Sequence, residues 1–381
     1  MSVAPASSFP RPLPAPATIG MPLAEVDTPA LLLDLDAFER NLDRMAASLA
    51  GKTIRVRPHA KSHKCPEIAR RQIARGAVGV CCQKVSEAEA FVRSGIKDVL
   101  VANEVVGPRK LERLVGLARD ARIGVCVDDA GNLSDLRRAA EHAGVTLDVY
   151  VEVNVGANRC GVEPGPAVVE LARQIAAPLL FAGLQAYHGA AQHLRSPADR
   201  AQAIAQAVAK LESTQWLLEA AGLKAPLITG AGTGTYLHEA ASRVYGELQP
   251  GSYIFMDVDY GKNLGPDGQP IRDFEHSLFL FATVMSHTVP TRAVVDIGLK
   301  AHSVDSGLPL VHGLPGVVYT KAADEHGVLT LAESASVSLG QKIKLIPGHC
   351  DPTVNLYDWL VCYRGDRVED IWPVTGRGAF Y

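Results

Sequence analysis

Between residues 53 and 256 the chain repeats one rhythm of short apolar strand, turn and helix. Strand-like runs fall near 53–61, 76–84, 98–105, 122–128, 147–154, 181–188, 227–233 and 245–256. Helical patterns lie between them near 64–75, 86–95, 108–120, 130–144, 164–176 and 196–222. The runs are rich in Val, Ile and Leu without strict alternation, which suits a parallel sheet covered on both faces. Eight such units over roughly 210 residues match the size of a (β/α)8 TIM-type barrel. A doubly wound open sheet is the other architecture that this pattern admits.

Ahead of the rhythm, Ala30-Leu31-Leu32-Leu33-Asp34-Leu35 reads as a strand after Asp27-Thr28-Pro29. Asp36 is a candidate N-cap for an amphipathic helix reaching about Ala50. Past residue 262 the texture changes. Gly, Pro and Asp cluster at 262–270, and strand-like segments follow at 278–288, 292–297, 316–319, 328–332, 342–346, 359–363 and 367–373 without a long helical pattern. The expectation is an α/β chain in three parts: an N-terminal tail, 1–26, part of which joins the β domain; a barrel, 27–262; and a C-terminal all-β domain, 263–381. Residues 1–20 are rich in Pro, Ala and Ser and are expected to be mobile; they lack the basic stretch and apolar core of a signal peptide.

A chain of 381 residues is long enough for a barrel and a second domain. Its net charge of −3 lacks the basic excess of a nucleic-acid binder. No apolar run nears the roughly 18 residues of a membrane span, so neither nucleic acid nor membrane is an expected partner. The seven cysteines include no C-x-x-C pair, which points to reduced thiols in the cytoplasm.

In a barrel, chemistry sits at the C-terminal ends of the strands. The first strand runs into Arg57-Pro58-His59-Ala60-Lys61-Ser62-His63-Lys64. Strand alternation would put Arg55, Arg57, His59, Lys61 and His63 on one face. Such a face is costly to bury without an anionic or acid–base partner. A lysine crowded by these cations should have a lowered pKa, and a neutral amine attacks carbonyls. A solvated basic edge strand is the plain alternative. Gln83 ends the second strand, and Asn154 the fifth, with Arg159 just beyond. Tyr187-His188-Gly189 end the sixth, with His193 in the loop after it. The loop Thr229 to Thr235, including Gly232 and Thr233, offers backbone N–H groups and hydroxyls for a phosphate; Gln249-Pro250-Gly251-Ser252-Tyr253 lie at the eighth strand. A phosphate site and a strand-end lysine in one barrel suggest pyridoxal 5'-phosphate held as a Schiff base. In Pro347-Gly348-His349-Cys350-Asp351-Pro352 an extended backbone would project His349 and Asp351 to one side, half of a divalent-metal site. A capped turn with a hydrogen-bonded histidine is the alternative there.

Together these segments resemble the D-threonine aldolase and eukaryotic-type D-serine dehydratase family of fold-type III pyridoxal-phosphate enzymes, which share the alanine-racemase fold. The lysine segment is similar to the family motif R-P-H-x-K-[ST]-H-K. Ala186-Tyr187-His188-Gly189, Leu248-Gln249-Pro250-Gly251-Ser252-Tyr253 and the late histidine element resemble further family segments, and the likeness spans roughly residue 25 to the end. The resemblance implies that Lys61 anchors the cofactor and that Arg159, in Asn158-Arg159-Cys160-Gly161, lies near its phenolic oxygen. It implies phosphate contacts from Gly251 and Ser252; Gln83, Tyr187, Gly232, Thr233, Gln249 and Tyr253, by their places at strand ends and in the glycine-bearing loops, are further candidates for cofactor contact. Gln249 replaces the arginine that alanine racemases turn to the pyridine nitrogen. Family dehydratases look like His-x-Cys at the metal, suited to zinc; here Asp351 takes the second place, which favours Mn2+ or Mg2+ over Zn2+. The implied reaction is metal-dependent retro-aldol cleavage of a D-3-hydroxy-amino acid such as D-threonine to glycine and an aldehyde. His193, His63 or a metal-bound hydroxide would take the hydroxyl proton. A D-serine or 3-hydroxyaspartate dehydratase is the first alternative. A non-catalytic pyridoxal-phosphate carrier is the second, although such carriers lack a C-terminal β domain. The resemblance also implies a homodimer with each β domain over a barrel mouth, that of the other subunit by expectation.

Overall fold

The computed structural model describes residues 14–381. Its first long-range element is β1 (Ala30–Asp34), followed by α1 (Leu35–Ser48). Then come β2 (Arg55–Val56), α2 (Pro66–Ala74), β3 (Val80–Cys82), α3 (Val85–Arg93), β4 (Asp98–Glu104), α4 (Pro108–Leu117), β5 (Arg122–Val127), α5 (Ala130–Ala143) and β6 (Leu147–Glu152). The series continues with α6 (Pro166–Gln174), β7 (Leu179–Ala186), α7 (Pro197–Ala220), β8 (Ile228–Gly230), α8 (Tyr236–Ser242) and β9 (Glu247–Leu248). Proline opens α2, α4, α6 and α7, where its missing N–H costs nothing.

Strands β2 to β9 form one parallel sheet in the order β2-β9-β8-β7-β6-β5-β4-β3. A parallel bridge between His59 and Cys81 joins its two edges, with the Cys81 N–H donating to the Pro58 carbonyl at 2.8 Å. The expected barrel is therefore closed, and an open doubly wound sheet is not formed. At the β7–β8 seam a Cβ on Gly183 would stand 1.8 Å from the Leu227 carbonyl oxygen, so only glycine fits there.

The second domain holds β10 (Leu278–Val289), β11 (Arg292–Val295), β12 (Leu310–Val311), β13 (Val317–Ala322), β14 (Gly327–Leu331), β15 (Lys342–Ile346), the short α9 (Cys350–Val354), β16 (Trp359–Arg364) and β17 (Arg367–Pro373). Its sheet runs β13-β14-β11-β10-β1-β16-β17, with β15 pairing β10 and β12. Here β1 departs from expectation. It lies between β10, antiparallel, and β16, parallel, so residues 27–34 belong to the β domain and not to the barrel. Ala30 to Leu33 are buried on both faces, and such a run carries no mark of the sheet that takes it.

The described part of the N-terminal stretch is also pinned rather than mobile. The Gly20 N–H donates to Val368 at 2.8 Å, the Leu23 N–H to Asp366 at 2.7 Å, and Ala17 is buried. Residues 1–13 of the expected tail lie outside the described residues. One apolar core runs through both domains, with Phe38 of α1 edge-on to Trp372 of β17 at 6.0 Å. All seven cysteines are free. Among the described residues no helix is long and apolar enough to cross a membrane.

Candidate active site at the barrel mouth

The basic strand finds its anions inside the barrel. Glu247 of β9, fully buried, accepts from Arg57 Nε at 3.0 Å and pairs with Arg55 Nη2 at 3.1 Å; Arg57 Nη1 donates to Asp98 at 2.6 Å. Thr229 Oγ1 donates to Glu247 at 2.9 Å and accepts from Gln249 Nε2 at 2.8 Å. Gln249 and Gln185 exchange two amide hydrogen bonds of 2.8 and 3.1 Å. A neutral amide pair thus stands where a racemase-like chain would place an arginine.

Alternation holds only as far as His59. Strand β2 ends at Val56, and Ala60–Ser62 form a 3-10 turn, so Lys61 and His63 leave the inner face. The turn carries Lys61 to the mouth, where its ammonium pairs with Asp351 of α9. Burial works against that ammonium, but the Asp351 carboxylate outweighs it and holds the amine above its usual range. This reverses the lowered pKa expected from the local cations; the deciding partner is 290 residues away. Burial pushes the Asp351 carboxyl up, but the Lys61 ammonium more than offsets this and holds it well below the usual carboxylate range. His59 lies 2.9 Å from Gln83 Nε2, and burial drives its imidazole toward the neutral form.

His63 does not reach the cavity. Its ring is fully buried, edge-on to Phe91 at 6.0 Å, and Nδ1 accepts from the Cys65 N–H at 3.0 Å. Burial takes its pKa down to about 3. It braces the lysine turn from behind, so the expected role as a base does not fit its position.

The late metal element is a helix start, not an extended segment. His349 is the extended residue before α9, and Asp351 sits in the first turn, where its carboxyl turns to the barrel. His349 Nδ1 lies 2.7 Å from Asp305 Oδ2, which leaves Nε2 for a ligand, an arrangement common at metal-binding histidines. Cys350 is buried, its N–H donates to Asp257 at 2.9 Å, and burial pushes its thiol up, so it does not replace Asp351 as a donor. Lys61 and Asp351 meet within one chain, so the β domain reaches its own barrel mouth.

A cavity of about 210 Å³ opens there, lined by His59, Lys61, Gln83, Arg159, Gln185, Tyr187 and Gln249. Arg159 stacks on Tyr187 with 5.6 Å to the ring centroid. Ser252 Oγ donates to Asp351 at 3.4 Å, and a Cβ on Gly251 would stand 3.0 Å from the His59 carbonyl oxygen. Gly232 packs against Gln192, and Thr233 Oγ1 accepts from the Tyr253 N–H at 3.0 Å, tying the two glycine-bearing loops together. The Tyr253 ring is buried on Phe274, and its hydroxyl accepts from Gln72 at 3.1 Å, so Tyr253 packs beneath the site and does not enter it. His193 ends a 3-10 turn, Gly189–His193, with Nδ1 2.6 Å from Asp259 Oδ2 and its ring 5.2 Å from that of Tyr260.

Sequence reasoning missed Glu247, Asp257, Asp259, Asp305 and Gln185. Inner-face alternation up to the strand ends could have found Gln185 and Glu247. The other three lie in loops whose approach depends on the folded β domain.

Comparison with known proteins places this geometry. Residues 33–259 match the family model "Alanine racemase, N-terminal domain", and residues 277–363 match "Putative serine dehydratase domain". The chain is 52% identical to a D-threonine aldolase from Arthrobacter sp over 96% of its length and 97% of the relative's. It is 48% identical to the 3-hydroxy-D-aspartate aldolase of Paracoccus denitrificans (strain Pd 1222), over 96% of each chain. The crystal structure of a D-threonine aldolase from Filomicrobium marinum superposes with a TM-score of 0.94 at 52% identity, covering 96% of this chain and all of that one. The chain belongs to the alanine-racemase-fold family that contains the D-threonine and 3-hydroxy-D-aspartate aldolases.

Proposed function

We propose that this chain cleaves D-3-hydroxy-amino acids, D-threonine among them, to glycine and an aldehyde, using pyridoxal phosphate and a divalent cation. The observation that carries this reading is the meeting of Lys61, from the barrel, with Asp351, from the β domain, in one chain. Family membership implies pyridoxal phosphate, and the cavity suits it: an amine, a guanidinium and three amides line a compact space without a carboxylate. Lys61 would anchor the cofactor carbonyl, Arg159 would face its phenolic oxygen, and Gly251 and Ser252 would flank its phosphate. When bound, the cofactor is the electron sink for the cleavage. His349 Nε2 and the Asp351 carboxylate would hold the cation, Mn2+ or Mg2+ by their hard donors, and such a cation would acidify the substrate hydroxyl. His193, its Nδ1 held by Asp259, takes the hydroxyl proton at Nε2. Lys61 returns a proton to Cα. A homodimer in the cytoplasm completes the reading. Exposed apolar Val304, Leu308 and Leu310, close to Asp305 in the chain, would offer apolar surface to a second copy, and the free thiols suit a reducing compartment.

The β-elimination reading has less support, because a carboxylate stands where that branch carries a thiol and the neighbouring Cys350 is buried. The carrier reading leaves the β domain's half of the site without a use. Product analysis separates all three. D-threonine should yield acetaldehyde and glycine in a chelator-sensitive reaction, His193→Ala should lose about 10²–10⁴ in kcat, and Lys61→Ala should lose the bound-cofactor absorbance. Pyruvate from D-serine as the main product would install the dehydratase reading; no turnover of either would leave the carrier.

A further inference from the structure

The cavity occupies only one side of the barrel mouth. The other side is built from the ends of β4, β5 and β6. Inside it, Leu100, Ala102, Cys126 and Tyr150 form a buried apolar layer. Strand alternation places an acid above that layer on each strand: Glu104, Asp128 and Glu152. Cys126 pairs with Tyr150 across β5 and β6, which sets Asp128 beside Glu152; a register shift against β5 after Val101 brings Glu104 level with Cys126. Cys160, from the loop after β6, completes the group, and one ligand atom each of Glu104, Asp128 and Cys160 lie within 4.8 Å of one another.

A second observation points to a ligand. Glu152 is 4% exposed, and its Oε2 is buried without a hydrogen-bond partner, as is Glu104 Oε1. The cation facing this layer is Arg159, whose Nη2 lies 3.8 Å from Glu152 Oε1. Three carboxyl groups and a thiol face a single guanidinium, so the possible anionic donors outnumber the cation beside them and a dication would offset the excess. Three oxygen donors and one sulfur suit the zinc class better than Mg2+, which avoids thiolates.

We propose that Glu104, Asp128, Glu152 and Cys160 form a second divalent-cation site, of the zinc class, on the opposite side of the mouth from His349 and Asp351. A cation there takes Glu152 from Arg159, so its occupancy bears on a guanidinium that lines the cavity.

The test is a titration of chelator-treated holoenzyme with Zn2+ by equilibrium dialysis, repeated with Co2+ as a spectroscopic probe. The intact chain should bind two ions, Asp351→Ala should keep this one, and an Asp128→Asn, Glu152→Gln chain should lose it. Co2+ should give a thiolate charge-transfer band that Cys160→Ser removes, a readout that needs only one mild change should the double variant not fold. A single bound ion that disappears with Asp351→Ala would overturn the proposal and leave the acids as a proton-sharing layer. A Co2+ thiolate band unchanged in Cys160→Ser would overturn it too. An ion lost only with Asp128→Asn, Glu152→Gln, with Asp351→Ala binding normally, would uphold this site and instead refute the proposed pair at His349.

Discussion

Asp305→Ala should weaken cation binding at His349 and Asp351 about tenfold while leaving cofactor binding intact. Asp305 does not touch the proposed ion. It holds His349 Nδ1 at 2.7 Å, and so fixes the ring orientation that turns Nε2 outward. It is itself fixed by Ser303 Oγ at 2.6 Å and Ser306 Oγ at 3.1 Å. Removing such an outer partner typically costs 10–100-fold in metal affinity, or about 1.4–2.7 kcal/mol. The Asp305 side chain is 50% exposed and that of His349 is 26% exposed. Water can therefore replace much of the lost hydrogen bond, which puts the expectation at the low end, about tenfold. Asp305→Asn keeps an acceptor oxygen and should lose less. Calorimetric titration of Mn2+ into chelator-treated holoenzyme measures this, with His349→Ala as the reference for a lost ligand. If His349→Ala abolishes binding and Asp305→Ala stays within about twofold of the parent, the orienting role is wrong.

Two further outcomes test the scaffold under the site. Glu247→Ala strips the buried Arg57 of one of two anions, and breaking a buried pair costs about 3–5 kcal/mol; with Asp98 still in place, about 3 is expected from the denaturation midpoint, and a change below about 0.5 would refute it. Glu239, buried in α8, has its carboxyl pushed up by burial to about 7, above its unfolded value, so the folded state binds the extra proton and stability falls as pH rises from about 4.5 to 7. Glu239→Gln should remove that loss, gaining on the order of 3 kcal/mol at pH 8 and almost nothing at pH 4.5. A gain that is the same at both pH values would refute the assignment.

The features legible in sequence were those with local causes. Every barrel strand overlaps its expected run, with β7 alone starting two residues ahead of it at Leu179, because buried parallel strands write themselves as Val- and Ile-rich segments between turns. Lys61, Arg159, His193 and the His349–Asp351 pair were legible as strand-end or loop residues, and the fold brings Lys61, Arg159 and Asp351 of these together at the mouth. What failed had distant causes. The charge state of Lys61 is set by Asp351, the burial of His63 by Phe91, and the ring of Tyr253 by Phe274. Strand β1 reads the same whether the barrel or the β domain receives it, and only β10 and β16 decide.

That placement of β1 bears on how the chain is made. Synthesis runs from the N-terminus, so Leu31 to Leu33 emerge first. Their neighbour β10 follows only after the whole barrel, and Val361, which pairs with Leu32, arrives roughly 330 residues later. Through that interval the nascent chain carries an apolar strand with both edges open, the kind of segment that invites pairing with a stranger. A fragment of residues 263–381 expressed alone would have a slot between β10 and β16 where β1 belongs, and a short peptide carrying Ala30–Asp34 is the piece shaped to fill it.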